Sequence, residues 1–302
     1  MFCFFFNCDI LLESRRIGEV RMKKIIALLL TFSFVFCLGG CTNPFQKDTE
    51  TEKSQKPKVI TSIKTEGSMK GITLKVGVSP DMAPFTFKNK QSGEIEGFDI
   101  DLLEALSEYL GFDYVLVVEQ IKDIEEDLEE KKIDCAISGI SITDSRQEKF
   151  KFTDSYFENS MTLITNKNVV AESKKDIVHM KLGTEKGTSE HEYLLKYMKK
   201  YNNKIITYKN MTQVYRALEK GKIDAAIYDS TGVEYYLKNH PNSNIVVVEK
   251  NLYEEQSDYG IMCVKDFHYM DELNVAMKQI DLSGQYQEIY NKWFREETKQ
   301  KE

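Results

Sequence analysis

From Thr73 onward, segments with the apolar pattern of a strand alternate with segments that have the apolar spacing of a helix. Thr73–Val78 is predicted to be a strand. A helix is predicted next, capped by Asp99 and stopped by Gly111, and one face of it is apolar at helical spacing: Ile100, Leu103, Leu106 and Leu110. Residues 114–118 form the following predicted strand. This alternation predicts an α/β architecture with mostly parallel sheets.

A short internal repeat indicates two similar lobes. Residues 132–137 read Lys-Ile-Asp-Cys-Ala-Ile, and residues 222–227 read Lys-Ile-Asp-Ala-Ala-Ile. Each copy follows a predicted charged helix, at residues 121–132 and 212–220, and each of those helices follows a predicted strand. A six-residue match can arise by chance, but the matching flanks favour two lobes, and the length of 302 residues allows for both.

The N-terminal region is typical of an export signal. Met22-Lys23-Lys24 is a basic start, and residues 25–38 form an apolar run shorter than the ~20 residues that span a bilayer. The run ends in Leu38-Gly39-Gly40-Cys41, which looks like the lipobox of bacterial lipoproteins. We therefore expect Cys41 to carry the lipid and to become the mature N-terminus; an uncleaved anchor helix or a buried strand is the alternative.

The flanking segments complete the expected organisation. Residues before Met22 fit no export pattern, which suggests a mis-annotated start, and the polar stretch after Cys41 is too poor in apolar residues to fold. The expected parts are a leader at 1–21, a lipoprotein signal peptide at 22–40, a lipidated tether at 41–70, lobe 1 at 71–164 plus 257–297, and lobe 2 at 165–256.

Charge and cysteine usage exclude several classes of protein. The net charge of −7 argues against a nucleic-acid partner, because phosphate binding needs a basic face. Outside the leader, signal and anchor only Cys135 and Cys263 remain, and we expect buried free thiols. The four histidines are scattered and no Cys-x-x-Cys occurs, so no metal and no cofactor is expected.

Polar residues at the strand ends predict the ligand site. Residues 138–141 and 228–230 follow the two repeated strands, and open α/β sheets bind ligands beyond such carboxyl ends. Two facing lobes would direct both ends into one cleft. Residues 187–189 form a further candidate wall, where Ser189 and Glu192 match a capping box and the helix start offers N–H groups to a carboxylate.

The chain from about Thr73 to Phe294 resembles the family 3 solute-binding proteins of amino-acid ABC importers. The motifs that carry this resemblance are Val76-Gly77-Val78-Ser79 with Pro84-Phe85, residues 97–102, Ile133-Asp134 with residues 139–143 and Arg146, residues 152–156, and residues 286–294. The resemblance implies a two-lobe periplasmic-binding-protein-like fold of type II, with crossovers near Leu163 and Tyr259. It also implies a monomer on the outer face of the cell membrane that delivers an amino acid to permease and ATPase subunits.

The resemblance also implies roles for individual residues. Arg146 would pair with the ligand α-carboxylate, helped by the N–H groups of Ser141 and of Thr188 or Ser189. Asp229, the Gly139 carbonyl and the Ser141 hydroxyl would hold the α-ammonium. The alternatives are that Arg146 is a surface residue beside Glu148, that Asp229 only caps a helix, and that Gly139 and Ser141 serve a tight turn.

Two departures from the family pattern affect the ligand side chain. Met82 and Ile121 stand where many members place aromatic rings, which weakens stacking or cation–π recognition, and Phe85 is a candidate core residue. Ser79, at the end of the first strand, is a further candidate contact. Glu185 can attract a cationic side chain, although an exposed acid is the simpler interpretation.

Two other functions share this fold. A dehydratase would need a placed acid or base, and no histidine falls at the two strand ends, so we expect no enzyme activity. A ligand-sensing subunit of a membrane receptor would close around its solute in the same way as a transport protein.

Overall fold

The computed structural model describes residues 65–252 and 258–295. The expected leader, the signal peptide, Cys41 and the tether as far as residue 64 lie outside the described residues. The expectation that the tether reaches residue 70 is wrong, because Met69 is fully buried in the core and Gly67 N donates to Tyr109 O at 2.9 Å. The described residues belong to one compact unit. Within the described ranges, no helix is long and apolar enough to cross a membrane.

Strands and helices alternate through most of the described chain. The strands are β1 (Thr73–Val78), β2 (Asp81–Met82), β3 (Thr86–Lys88), β4 (Ile95–Glu96), β5 (Asp113–Val118), β6 (Cys135–Ala136), β7 (Lys151–Phe152), β8 (Met161–Asn166), β9 (Lys181–Glu185), β10 (Lys204–Tyr208), β11 (Ala225–Asp229), β12 (Ile245–Leu252) and β13 (Met262–Cys263). The helices are α1 (Phe98–Leu110), α2 (Ile121–Glu129), α3 (Asp144–Lys149), α4 (Ser189–Tyr193), α5 (Met211–Glu219), α6 (Ser230–Asn239), α7 (Met270–Leu282) and α8 (Gln285–Phe294). Short helical turns are Lys174–Asp176, Leu194–Met198 and Lys199–Tyr201.

Two five-stranded sheets form the centres of the two lobes. The first has the strand order β5-β1-β6-β13-β7, and the second has the order β10-β9-β11-β8-β12. In each sheet the first three strands are parallel, whereas β13 in the first and β8 in the second run antiparallel to their neighbours. A small sheet, β2-β3-β4, joins the first lobe, where α1 packs against α7 and α8.

The sequence repeat has the same structural role in both lobes. Ile133 and Ile223 are fully buried, and each lies under a glycine of the neighbouring strand: a Cβ added at Gly77 or Gly183 would come 2.6 or 2.2 Å from the isoleucine Cδ1. The aspartates that follow are equivalent too, because Lys75 N donates to Asp134 Oδ2 at 2.8 Å and Lys181 N donates to Asp224 Oδ2 at 2.7 Å. In each lobe, the isoleucine and the aspartate of the repeat therefore hold the segment that carries them against the neighbouring strand.

Several predicted boundaries differ from the structure. The two repeated helices end before residues 132 and 220, at Glu129 and Glu219, and the following residues form turns. The first crossover lies before Met161, because β8 pairs with β11 in the second sheet; the lobe boundary expected near Leu163 is therefore wrong by a few residues. The chain returns to lobe 1 near Tyr259, whose backbone bridges Ser141 and Phe157.

Asp99 does not cap α1 as predicted. The cap position is Gly97, whose φ of 142° only glycine adopts easily, and an added Cβ there would lie 2.0 Å from Phe85 O. Asp99 is instead completely buried, and its Oδ2 accepts a hydrogen bond from Gly139 N at 2.7 Å. This aspartate thus ties the start of α1 to the loop after β6.

Candidate functional site between the lobes

A small cavity lies where the ends of β6 and β11 face each other across the lobes. Its volume is about 10 Å³, close to the space of one water molecule, so a molecule the size of an amino acid can enter only when the lobes separate. The lining residues come from both lobes: Met82, Ile121, Gly139, Ile140, Ser141, Arg146, Thr188, Ser189, Glu190 and Asp229. Eight of these ten residues have a ligand role predicted from the sequence, and Ile140 and Glu190 do not.

Arg146 is held at the cavity by both lobes. Thr143 caps α3, with its Oγ1 accepting from Arg146 N at 3.3 Å, and the Arg146 side chain is almost completely buried. Its guanidinium donates to Ser141 O at 3.0 Å, to Gly187 O at 3.1 Å and to Glu125 Oε1 at 3.0 Å. A guanidinium has more N–H donors than these three bonds use, so it retains donors for a carboxylate. The alternative of a surface residue beside Glu148 is wrong.

Two buried carboxyl groups lie together at another wall of the cavity. Asp229 ends β11 with 3% of its surface exposed, and Glu190 in α4 has 2% exposed. Asn159 Nδ2 donates to Asp229 Oδ1, and Asp229 makes no capping bond to α6, so the capping alternative is wrong. Burial, reinforced by the neighbouring Glu190, raises the pKa of Asp229 well above its usual range. Burial also raises the pKa of Glu190.

Direct contacts between the lobes hold the cleft closed. Ser141 Oγ and Ser189 Oγ are 3.0 Å apart, and Ser145 Oγ donates to Glu192 Oε2 at 3.0 Å. At the other end of the cleft, Asn210 Nδ2 donates to Asp81 Oδ2 at 3.2 Å. Each of these bonds joins one residue of lobe 1 to one of lobe 2, so opening of the cleft requires all of them to break.

The start of α4 differs from the predicted capping box. Thr188 is the cap, and its Oγ1 accepts from His191 N at 3.3 Å, whereas Glu192 points to Ser145 of the other lobe. Gly187, with φ of +88°, lies so close to lobe 1 that an added Cβ would be 2.6 Å from Lys122 Cα. The loop before α4 is therefore one of the tightest contacts between the lobes.

The predicted side-chain contacts divide into two groups. Met82 and Ile121 line the cavity as apolar residues, and Met82 Sδ accepts a hydrogen bond from Tyr228 OH at 3.4 Å. Ser79 and Glu185 do not line it: Ser79 N donates to Ser138 Oγ at 3.0 Å, and Glu185 lies buried at the end of β9. The interpretation of Glu185 as an exposed acid is wrong, since only 2% of its surface is exposed.

Glu185 has an unusual environment for a carboxylate. Its Oε2 is buried without a hydrogen-bond partner among the described residues. The pKa of Glu185 rises to about 8, first because burial removes water from the charged form and then because Asp81 lies nearby; the Met211 N–H at the start of α5 opposes this shift.

The chain is similar to known proteins along most of its described length. Residues 74–296 match the model of the bacterial extracellular solute-binding proteins, family 3. The chain belongs to this family. Among curated family members, a probable histidine-binding protein of Neisseria gonorrhoeae is 29% identical over 92% of this chain and 98% of its own length. An arginine-binding periplasmic protein of Mannheimia haemolytica is 29% identical over 72% of this chain and 89% of its own.

Solved structures of amino-acid-binding proteins have the same fold. An ancestral arginine-binding protein bound to arginine matches with a TM-score of 0.69 and 30% identity, over 74% of this chain and 98% of its own. The arginine-, lysine- and histidine-binding protein of Geobacillus stearothermophilus matches with a TM-score of 0.67 and 31% identity, over 75% and 97%. The predicted two-lobe, type II periplasmic-binding-protein fold is confirmed.

Proposed function

We propose that this protein captures a polar amino acid or a related zwitterion by closure of its two lobes and delivers it to the permease of an ABC importer. The observation that carries the proposal is the placement of opposite charges around one interlobe cavity. Arg146 supplies guanidinium donors on one wall, and Asp229 supplies a carboxyl group on another. These groups match the carboxylate and the ammonium that every α-amino acid carries.

The two ends of the zwitterion would meet groups from both lobes. The Arg146 guanidinium belongs to lobe 1 but bonds to Gly187 O of lobe 2, and Ser141 and Ser189 are also in contact across the cleft. A ligand bridging these groups stabilises the closed form more than the open form, and this difference in affinity drives closure. The permease would then recognise the closed surface.

The proposed cellular setting follows from the N-terminal sequence. Export through residues 22–40 and lipid attachment at Cys41 would place the folded lobes on the outer face of the cell membrane, where an importer meets its solute. Labelling with a radioactive fatty acid tests this, because Cys41→Ser must abolish incorporation. Incorporation that persists in that variant would reject the anchor.

A thermal-shift measurement tests amino-acid binding. Protein from Thr42 onward is unfolded and refolded to remove carried-over ligand, then heated with each of the twenty amino acids, cystine and opines in turn. Binding to the folded state must raise the melting temperature by mass action, and Arg146→Ala and Asp229→Ala must each remove the shift. If none of these solutes shifts the wild-type protein, the proposal is rejected.

Uptake separates transport from sensing. A strain lacking this gene is expected to lose uptake of the radiolabelled amino acid found by thermal shift, and the wild-type gene is expected to restore it. Normal uptake in the deletion strain would favour the alternative of a sensing subunit.

A further inference from the structure

The cleft contains more buried carboxyl groups than a neutral amino acid can balance. Asp229, Glu190 and Glu185 are each at most 3% exposed. Arg146 is a buried cation that lines the same cavity as Asp229 and Glu190, and its guanidinium already forms an ion pair with Glu125 at 3.0 Å. A zwitterion adds one positive and one negative charge, so it leaves this excess of acid unchanged.

Oxygen atoms in this acidic group lack partners. Glu190 Oε1 and Glu185 Oε2 are buried, and neither has a hydrogen-bond partner among the described residues. Glu190 lines the cavity, and Glu185, which does not line it, lies within electrostatic reach of Glu190 and Asp81. A buried carboxylate with an unpaired oxygen is costly, so a bound cation or a proton would stabilise each group.

The surroundings of each acid disfavour its charged form. Glu190 is surrounded by Asp229, Thr188 and Arg146, and Asp229 by Glu190, Asn159 and Tyr259. Glu185 is surrounded by Asp81, Glu190 and the Met211 N–H. The pKa values of all three acids are raised, mainly by burial, and burial therefore favours their protonated forms over their charged forms.

We infer that the ligand is a cationic amino acid, and that Glu190, assisted by Glu185, neutralises the positive charge of its side chain; this inference rests on the proposed function. The α-carboxylate pairs with Arg146, and the α-ammonium pairs with Asp229. The side-chain cation then replaces protons on the remaining acids. Met82 and Ile121 contact its aliphatic part, because they line the same cavity as Glu190.

Calorimetric titration of the refolded protein from Thr42 onward tests this inference. Arginine, lysine and ornithine are titrated at pH 7 in phosphate and in Tris, whose ionisation enthalpies differ, with glutamine as the neutral comparison. Cationic ligands are expected to bind at least about tenfold more tightly than glutamine and to release more protons to the buffer. Equal proton release, or tighter binding of glutamine, would overturn the inference.

Two variants assign the charge preference to particular side chains. Glu190→Gln is expected to reduce the affinity ratio of arginine to glutamine by about tenfold or more and to reduce proton release; Glu185→Gln acts in the same direction. Glu234→Gln is the matched control, because Glu234 lies on the exposed face of α6 in an ion pair with Lys250. Circular dichroism checks that each variant is folded.

The outcomes separate the inference from the proposed function. If Glu190→Gln weakens the binding of arginine and of glutamine equally, Glu190 contacts only the α-ammonium that both ligands share, and the inference is wrong. If a neutral amino acid alone binds, the inference fails while the proposed function stands. If no amino acid of any charge binds, the proposed function fails and the inference fails with it.

Discussion

Asp99 accepts a hydrogen bond from Gly139 N at 2.7 Å, and this bond connects the first residues of α1 to the loop that carries Ser141. Asp99 is completely buried, and burial raises its pKa from 3.8 to about 7. Gly139 has φ of +55°, so the loop adopts a left-handed conformation at that position. The buried aspartate therefore fixes the position of one wall of the cavity between the lobes.

The Asp99 pKa predicts how stability depends on pH. Its folded-state pKa lies above its unfolded value, so between about pH 4 and pH 7 the native state holds a proton that the unfolded state has lost. The free energy of unfolding therefore falls as pH rises through this window, by up to about 4 kcal/mol from this group. Asp99→Asn should remove this part of the decrease in the free energy of unfolding, measured by urea unfolding at pH 5 and at pH 8. Asp113→Asn, at an exposed position on β5, is the control. The prediction is contradicted if the free energy of unfolding changes equally between pH 5 and pH 8 in the wild type and in Asp99→Asn.

The contact between Gly187 and Lys122 predicts a variant that opposes closure. Gly187→Ala places a Cβ 2.6 Å from Lys122 Cα, so the closed form is strained and ligand affinity should fall by about tenfold or more. Gly221→Ala is the matched control, because Gly221 also has a positive φ of +61° but has no atoms within 4 Å of the added Cβ. Calorimetric affinities for both variants check this. Equal affinities would show that the lobes close without this contact.

The buried isoleucine of the repeat predicts a large loss of stability. Ile133→Ala removes a fully buried side chain that packs under Gly77, and this should lower the free energy of unfolding by about 2 to 5 kcal/mol. Val115→Ala, at a position that is 55% exposed, should change it by less than about 1 kcal/mol. Urea unfolding measures both. Similar losses in the two variants would argue against a structural role for the repeat.

The cysteines predict a simple labelling result. Cys135 and Cys263 face each other on β6 and β13, and both are free and buried. Burial, followed by the adjacent Cys135 thiol, raises the pKa of Cys263 well above its usual range. Folded protein from Thr42 onward should therefore not react with a thiol reagent at pH 8, whereas the protein in guanidinium chloride should show both thiols. Rapid labelling of the folded protein would contradict this burial.

Much of the architecture follows from the sequence alone. Apolar spacing predicts β1, β5 and the helix between them, because the period of the apolar residues shows which face of an element is buried. The repeat predicts two similar lobes, and the polar residues after the repeated strands predict Ser141 and Asp229 as neighbours. The family resemblance adds Arg146. These signals are local, so the sequence determines them without knowledge of the packing.

Only the tertiary structure decides which buried groups meet. Glu190 follows Ser189 at the start of a helix and carries no pattern of its own, yet it lies beside Asp229. Likewise, Asp99 has the spacing of a helix cap but bonds to Gly139, forty residues away in the sequence. Periodicity shows that a face is buried and not which element covers it, so contacts between distant segments become known only when the chain is folded.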